Sequence, residues 1–272
     1  MTTESEINNS LPVLCGVIGN PIEHSLSPKI HSSFANQTQV NLQYNKYLLT
    51  KDDVEPFIKE FFAKGGKAGV GLNVTLPFKQ QVIGIADQLT EASKVCQSVN
   101  TLSLDQNGNI IGDTTDGEGL FLDLERLGYQ VRNRNILVIG AGGASLSVIY
   151  ALLSNQSNVT LNNRSQEKIH SVISQFSSIG TIENFDSKTD KQFDGVIVAI
   201  SEFNQILLEA TIPFLKKDAF IYDLNYSDRA EETLSYFKSK GFDRVSDGYG
   251  MLVGQAAKSF EIWHGVLPCI KV

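Results

Sequence analysis

From Leu14 onward, short apolar runs alternate with amphipathic stretches along the chain. The runs at 14–18, 44–49 and 70–74 predict strands. The stretch 28–35 predicts a helix, opened by Ser27 as its N-cap and Pro28 at the first helical position. A second helix is predicted over 54–62, ending before Gly65 and Gly66. Strands at 99–104 and 109–112 flank Asp105, Gln106, Asn107 and Gly108, a hairpin signal. A helix over 118–127 then stops at Gly128. A second series begins near Arg134. Ile136, Leu137, Val138 and Ile139 form an uninterrupted apolar run, which suits a strand covered on both faces by helices. Further strands at 159–161, 195–200 and 220–224 alternate with helices at 144–153, 166–176 and 230–240. A last helix, 250–264, carries apolar residues at 252, 256, 260 and 263.

Strands alternating with helices over more than 100 residues predict an α/β protein with a parallel, doubly wound sheet in its second half. The break between the two series falls near 113–117. We therefore expect two domains, residues 11–114 plus 250–272 and residues 115–249, with 1–10 as a loose tail. The length allows this, because a chain of 272 residues buries a sizeable core without staples. Composition narrows the class. With 42% hydrophobic and 19% charged residues, wholesale disorder is excluded. The net charge is −7 and no long basic run occurs, which argues against a nucleic-acid partner. No apolar run approaches the roughly 18 residues of a membrane helix. The polar N-terminal stretch has neither the basic nor the apolar region of a signal peptide. Cys15, Cys96 and Cys269 are odd in number and widely spaced, so neither disulfides nor a zinc site is expected. Three reduced thiols suit a cytoplasmic protein.

The run I-L-V-I-G-A-G-G-A-S at 136–145 follows a strand and opens a helix, the context of a dinucleotide-binding loop. Gly140 permits the tight turn, Gly142 lets the backbone approach a pyrophosphate, and the helix N-terminus offers free N–H groups. Ser145 stands where the third glycine would fall, with small Gly143 and Ala144 nearby. The plainer reading is a tight turn without a ligand. At the end of the next strand an NAD site carries an acid for the ribose hydroxyl. Here Asn162, Asn163, Arg164 and Ser165 follow, then Lys168, and no carboxylate. A guanidinium forks onto phosphate, so this pattern favours NADP. As mere decoration of a helix start, Arg164 and Lys168 would oppose the helix dipole.

Polar clusters in the first half offer a second chemistry. Ser25 and Ser27 alternate about Leu26, so both hydroxyls can face one polyhydroxylated or carboxylated small molecule, or else serve as cap and loop residues. Lys79 follows Pro77 where a helix is expected to begin. It either solvates that helix start or acts as a proton donor at a cleft. Asn100 is polar within a strand. Asp116 sits at the domain junction, either in a cleft site or as a helix cap. His24 and His31 flank the serine loop without further metal ligands.

These segments together resemble the shikimate dehydrogenase family. The carrying motifs are G-N-P-I-E-H-S-L-S-P-K-I-H at 19–31, N-V-T-L-P-F-K at 73–79, V-N-T-L at 99–102 and G-D-T-T-D-G at 112–117. They continue with G-A-G-G-A at 140–144, N-R-S at 163–165 and D-G-Y-G-M-L-V-G-Q-A at 247–256. The resemblance implies a substrate domain and a Rossmann-like NADP domain with the active site in the cleft between them. It implies NADPH-dependent reduction of 3-dehydroshikimate to shikimate in aromatic amino-acid biosynthesis, by a monomer or homodimer. It also implies that Ser25, Ser27, Thr75, Asn100, Asp116, Tyr226 and Gln255 hold the substrate, and that Lys79, with Asp116 beside it, is the acid/base. Gly140, Ala141, Gly142, Gly143, Ala144, Asn163, Arg164, Ser165 and Lys168 would hold the cofactor, with Leu224 and Gly248 bordering its nicotinamide. No metal is required. This chain departs from the family's habit with Leu146 and Ser147 where Arg-Gly is frequent. It has Leu224 where Met is frequent. Val198, Ala199, Ile200 and Ser201 replace N-A-T-S, a change expected to weaken polar contact to the cofactor in that loop. A quinate-type dehydrogenase and a catalytically dead nucleotide-binding regulator are the alternative readings.

Overall fold

A computed structural model describes residues 11–63 and 69–272. The expected tail 1–10 and the glycines at 65 and 66 lie outside the described residues. In chain order the elements are β1 (Val13–Gly19), α1 (Ser27–Thr38), β2 (Leu42–Leu48), α2 (Val54–Phe62), β3 (Gly69–Val74), β4 (Gln88–Leu89) and α3 (Glu91–Cys96). Then follow β5 (Thr101–Leu104), β6 (Ile110–Asp113), α4 (Asp116–Arg126), β7 (Asn135–Ile139), α5 (Gly143–Ser154), β8 (Asn158–Asn162) and α6 (Gln166–Phe176). The last are β9 (Ile182–Asn184), β10 (Phe193–Val198), α7 (Gln205–Glu209), β11 (Leu215–Asp223), α8 (Asp228–Ser239), β12 (Val245–Ser246) and α9 (Tyr249–His264).

The chain divides into two compact units. The first comprises the chain up to Thr90, Val99–Asp113 and Ala256–Cys269, and the second Glu91–Ser98, Thr114–Gln255 and Ile270–Val272. The division therefore falls within α9, and α3 belongs to the second unit, where it packs on α5.

In the first unit the strands run in the order β2-β1-β3-β5-β6-β4. β1 pairs in parallel with β2 and β3, whereas β3–β5 and β5–β6 are antiparallel. The period of two along β1 sends Ile18 into a cluster with Val54, Ile58, Phe61 and Leu72, and sends Cys15 and Val17 into another with Tyr44 and Trp263. Both faces of the sheet are thus covered. Burial pushes the Cys15 thiol up to about 12, so it stays protonated as part of the packing. The hairpin between β5 and β6 turns on Asp105, whose Oδ1 accepts from the backbone N–H groups of Asn107 and Asn109 at 2.8 Å.

The second unit carries a parallel sheet in the order β12-β11-β10-β7-β8-β9. Counted within the unit, that is 3-2-1-4-5-6 read from β9, the doubly wound order of a Rossmann-like fold. The uninterrupted apolar run of β7 has a direct cause here. Ile136 and Val138 face one cluster with Val148, Leu152 and Ile197, while Leu137 and Ile139 face another with Val196, Val198 and Ile221. All four are fully buried.

Local departures from the sequence reading have local causes. Ser27 does not cap α1: it is the first helical residue, the cap position is Leu26, and the Ser27 N–H is taken by Ser25 Oγ at 3.3 Å. Lys79 does not open an α-helix. It lies in a turn that leads to a short 3₁₀ segment, Gln81–Gly84. Asn100 precedes β5 rather than lying within it. β10 ends at Val198, leaving Ala199 and Ile200 outside the strand.

His31, on α1, is fully buried, stacked on Tyr44 at 4.3 Å and Trp263 at 5.3 Å, and neither ring nitrogen has a hydrogen-bond partner. Burial pushes its imidazole down to about 3, and nearby His264 adds to the shift. The unfolded imidazole, with an ordinary value of 6.5, protonates first as pH falls, so this group's stabilising contribution is complete above that value and is lost progressively down to about 3. The slope is at most about 1.4 kcal/mol per pH unit. His264, also lowered by burial, acts in the same direction. His31→Phe, which keeps the ring, should shrink the difference between urea midpoints measured at pH 7 and pH 5. An unchanged difference would rule out His31 as a source of acid sensitivity.

Candidate functional site

A pocket of about 330 Å³ opens at the carboxyl ends of β7, β8 and β10, the side of a doubly wound sheet where nucleotides sit. It is lined by Gly140, Ala141 and Gly142 after β7, and by Asn163, Arg164 and Lys168 after β8. Residues 199–204 and Leu207 complete the wall. Gly140 is required by geometry: its φ is +113°, and a Cβ there would lie 2.5 Å from the Ala199 carbonyl oxygen. A Cβ on Gly142 or Gly143 would meet nothing within 4 Å, so the loop fronts open space at the N-terminus of α5. Ser145, at the expected third glycine, is fully buried and donates its hydroxyl to the Gly142 carbonyl at 2.6 Å. It closes the loop from behind without occupying the pocket side. Gly143 and Ala144 are exposed in the first turn of α5 and do not line the pocket.

Ser165 takes a different role from its neighbours. It is the N-cap of α6, where its hydroxyl accepts from the Lys168 N–H at 3.3 Å, while Asn163, Arg164 and Lys168 line the pocket. The cations at this helix start therefore face a ligand-sized space. The wall 199–204 is polar despite the departure from N-A-T-S, since Ser201, Glu202 and Asn204 all reach it. Asn204 also caps α7 by accepting from Leu207 N–H at 3.0 Å. Residues 199–201 of this wall belong to the loop that the sequence already set against the cofactor, whereas Glu202, Phe203, Asn204 and Leu207 match no motif, although Asn204 three residues before Leu207 is a capping signal.

Further along the second unit, Leu224 and Gly248 are neighbours. The Leu224 N–H donates to Val198 O at 2.8 Å, and a Cβ on Gly248 would lie 2.2 Å from Leu224 O. Asp223 is fully buried. Its Oδ1 accepts from the Asn225 backbone and side-chain N–H groups at 2.9 Å each. Burial, reinforced by the charge of Asp247, pushes the carboxyl up to about 6. Tyr226 is half-buried with its ring 6.5 Å from that of Tyr249. Asp116 is the first residue of α4 and 7% exposed. The cap position is Thr115, so Asp116 is not the cap of its helix. Gln255, half-buried, donates from Nε2 to Leu252 O at 2.9 Å, and its carbonyl accepts from the Thr115 hydroxyl at 3.1 Å.

In the first unit, Ser25 donates to Ser27 Oγ at 3.2 Å, so the two hydroxyls do face each other around the exposed Leu26. Thr75 follows β3, its N–H bonded to Ile18 O at 3.0 Å. Lys79 is half-buried, and its carbonyl accepts from Val99 N–H at 3.0 Å, which ties its turn to the approach of β5. Asn100 is 2% exposed. His24 is exposed, whereas His31 belongs to the aromatic cluster described above. Among the described residues no group of acids, histidines and cysteines could hold a metal ion, and no helix is long and apolar enough to cross a membrane.

The sheet order, the glycine loop and the cationic end of β8 define a Rossmann-like nucleotide-binding protein with an additional α/β unit. Residues 17–102 match the shikimate dehydrogenase substrate binding domain, 123–228 shikimate / quinate 5-dehydrogenase, and 248–271 the shikimate 5'-dehydrogenase C-terminal domain. The chain is 41% identical over 254 residues to the shikimate dehydrogenase (NADP(+)) of Buchnera aphidicola subsp. Schizaphis graminum, covering 93% of this chain and 92% of that protein. It is 39% identical over 262 residues to that of Actinobacillus succinogenes, covering 94% and 95%. The crystal structure of shikimate dehydrogenase from Aquifex aeolicus superposes with a TM-score of 0.81 at 30% identity, covering 96% of each chain. The chain belongs to the shikimate dehydrogenase family.

The left-handed backbone at Gly140 and its approach to Ala199 generate a stability test. Gly140→Ala should destabilise the protein by about 1–3 kcal/mol, since it adds both backbone strain and a clash with a carbonyl oxygen. Urea unfolding measures this, and a change below about 0.5 kcal/mol, the ordinary surface value, would contradict the tight approach.

Proposed function

We propose that this protein is an NADP-dependent shikimate dehydrogenase, an oxidoreductase that reversibly reduces 3-dehydroshikimate to shikimate in the route to the aromatic amino acids. The observation that carries this reading is the likeness, over 93% of the chain, to a shikimate dehydrogenase (NADP(+)). The pocket chemistry agrees with the cofactor. Backbone N–H groups at the start of α5 suit a pyrophosphate, and Arg164 and Lys168 suit a 2′-phosphate. Asn163 would support them, Ser165 would hold the helix start in place, and Leu224 and Gly248 would border the nicotinamide.

The cofactor, when bound, supplies the hydride. The chain's own residues bind and orient the cyclic hydroxy acid and manage its proton. Ser25, Ser27, Thr75, Asn100, Tyr226 and Gln255 take its hydroxyls and carboxylate. The Lys79 ammonium stabilises the negative charge forming on the carbonyl oxygen and delivers the proton to it. Asp116 acts with Lys79 as one unit and accepts a substrate hydroxyl. Such an enzyme works in the cytoplasm as a monomer or homodimer without a nucleic-acid partner. The three free cysteines suit that compartment.

Absorbance of the reduced nicotinamide with shikimate plus NADP tests the reading directly. Turnover of quinate plus NAD in preference would replace it with a quinate-type activity, and turnover of neither pair would leave only nucleotide binding. Lys79→Ala should lower kcat by roughly 10²-fold or more, the usual size of an acid–base contribution. Asp116→Asn should also slow turnover. The double variant should lose much less than the product of the single losses, because groups that act as one unit are not additive. Near-normal kcat in Lys79→Ala would remove the lysine from this role, and strictly multiplicative losses would show two independent residues.

Cofactor choice gives the second test. Arg164→Ala should weaken NADP by about 10- to 150-fold, the value of a charged hydrogen-bond pair, and leave NAD nearly unchanged. Comparing kcat/KM for both cofactors at fixed shikimate measures this. An unaltered NADP-to-NAD ratio would transfer the role to Lys168.

A further inference from the structure

Beneath Asn100 the first unit buries a chain of polar side chains in the middle of its sheet. Tyr44 comes from β2, Asn73 from β3, Thr101 from β5 and Ser259 from the second half of α9. Asn73 and Thr101 stand directly opposite each other across the antiparallel pair. None of the four is more than 9% exposed. The Tyr44 hydroxyl donates to Asn73 Oδ1 at 2.7 Å. Asn73 Nδ2 donates to Ser259 Oγ at 2.8 Å, and at 3.3 Å to Thr101 Oγ1 and to the Asn100 carbonyl. Ser259 Oγ and Thr101 Oγ1 are 2.8 Å apart, and Thr101 Oγ1 donates to Asn100 Oδ1 at 2.9 Å.

The direction of these bonds follows from what each group can do. A peptide carbonyl only accepts, so the end of the Asn73 carboxamide next to Asn100 O is its NH₂. Its oxygen then faces Tyr44 and takes the phenolic proton. A hydroxyl has one proton. Ser259, already accepting from Asn73, gives its proton to Thr101, and Thr101 gives its own to Asn100 Oδ1. The Asn100 backbone is held as well, its carbonyl accepting from Val74 N–H at 2.8 Å and its N–H donating to Asp113 O at 2.9 Å.

We propose that Thr101 is a positioning residue for substrate recognition. As the last member of the Tyr44–Asn73–Ser259–Thr101 chain it turns the Asn100 carboxamide oxygen inward, so that the amide nitrogen is the end presented to the ligand. Asn100 then reads a substrate oxygen that accepts a hydrogen bond. The proposal rests on the reading of Asn100 as a substrate-binding residue. It has a physical basis in burial: in a polar network closed off from water, removing the Thr101 hydroxyl deletes a bond that water does not replace, and the Asn100 carboxamide loses the 2.9 Å contact to its oxygen.

The test is steady-state kinetics of Thr101→Val, which keeps the shape of the side chain and removes its hydroxyl. Its kcat/KM for shikimate should fall about tenfold or more, the value of a buried donor left out of a network, while KM for NADP stays within about twofold. Thr101→Ser should restore kcat/KM to within about threefold, since it returns the hydroxyl. In an Asn100→Ala background, adding Thr101→Val should change kcat/KM by less than about twofold, because a residue that acts through Asn100 has nothing left to act on. A purely structural threonine would lower thermal stability without this pattern. The proposal is overturned if folded Thr101→Val keeps kcat/KM for shikimate within about twofold of the parent, or if the losses multiply in the double variant. Should Thr101→Val fail to fold, Ser259→Ala is read in the same way and must show the same collapse of its effect in the Asn100→Ala background. The parent in the same assay separates the two readings. Normal parent turnover with flat variants refutes the positioning role alone, whereas a parent that neither binds nor turns over shikimate refutes the functional reading and this proposal with it.

Discussion

A strand buried on both faces has no place for a working polar side chain until it ends. β7 obeys this rule in each of its four apolar residues, which feed two separate clusters, one on each side of the sheet. Each such side chain, fully buried, contributes about 1.5–3 kcal/mol, so a polar replacement in the run would cost much of the stability of a domain. The backbone hydrogen bonds of the strand are consumed by β8 and β10. The first backbone groups able to meet a ligand are therefore those of the loop at its carboxyl end. The strand order places the loops after β7, β8 and β10 side by side, and the pocket forms there.

The same constraint shapes the chemistry of that pocket. Its glycine loop is held from both sides. Ala199 approaches Gly140 too closely for a side chain, and the Ser145 hydroxyl ties back to Gly142 from the helix side. The open side of Gly142 and Gly143 is what remains. Arg164 and Lys168 stand at a helix start, where cations are electrostatically unfavourable, and an anion between them and the N-terminus of α5 would resolve that conflict.

The first unit solves the opposite problem. It carries polar side chains in the centre of a sheet, at Asn73 and Thr101, and keeps them there because each finds a partner. Its mixed sheet makes the arrangement possible. The antiparallel pairing of β3 with β5 sets Asn73 opposite Thr101, and Ser259 of α9 reaches both. The aromatic packing of His31, Tyr44 and Trp263 lies against the same polar core and excludes water from it. An uncharged histidine with no hydrogen-bond partner is the electrostatic cost of that packing.

The periodicity of the chain by itself determined the alternation of strands and helices, the Asp105 hairpin and the strand–glycine loop–helix unit at 136–145. All of these are short-range, set by side-chain spacing and turn chemistry within a few residues. The absence of an acid after Leu161 likewise pointed to the cationic end of β8 from position alone. Tertiary structure decided the rest. Ser27 lost the cap role because Ser25 bonds its N–H, and Lys79 fell in a turn because the chain is drawn toward Val99. The extension of the pocket wall to 202–204 and the bonds joining Tyr44, Asn73, Thr101 and Ser259 connect residues up to 186 positions apart in sequence. Local spacing carries no information on such distant contacts, because they exist only once the sheets are built and the elements meet.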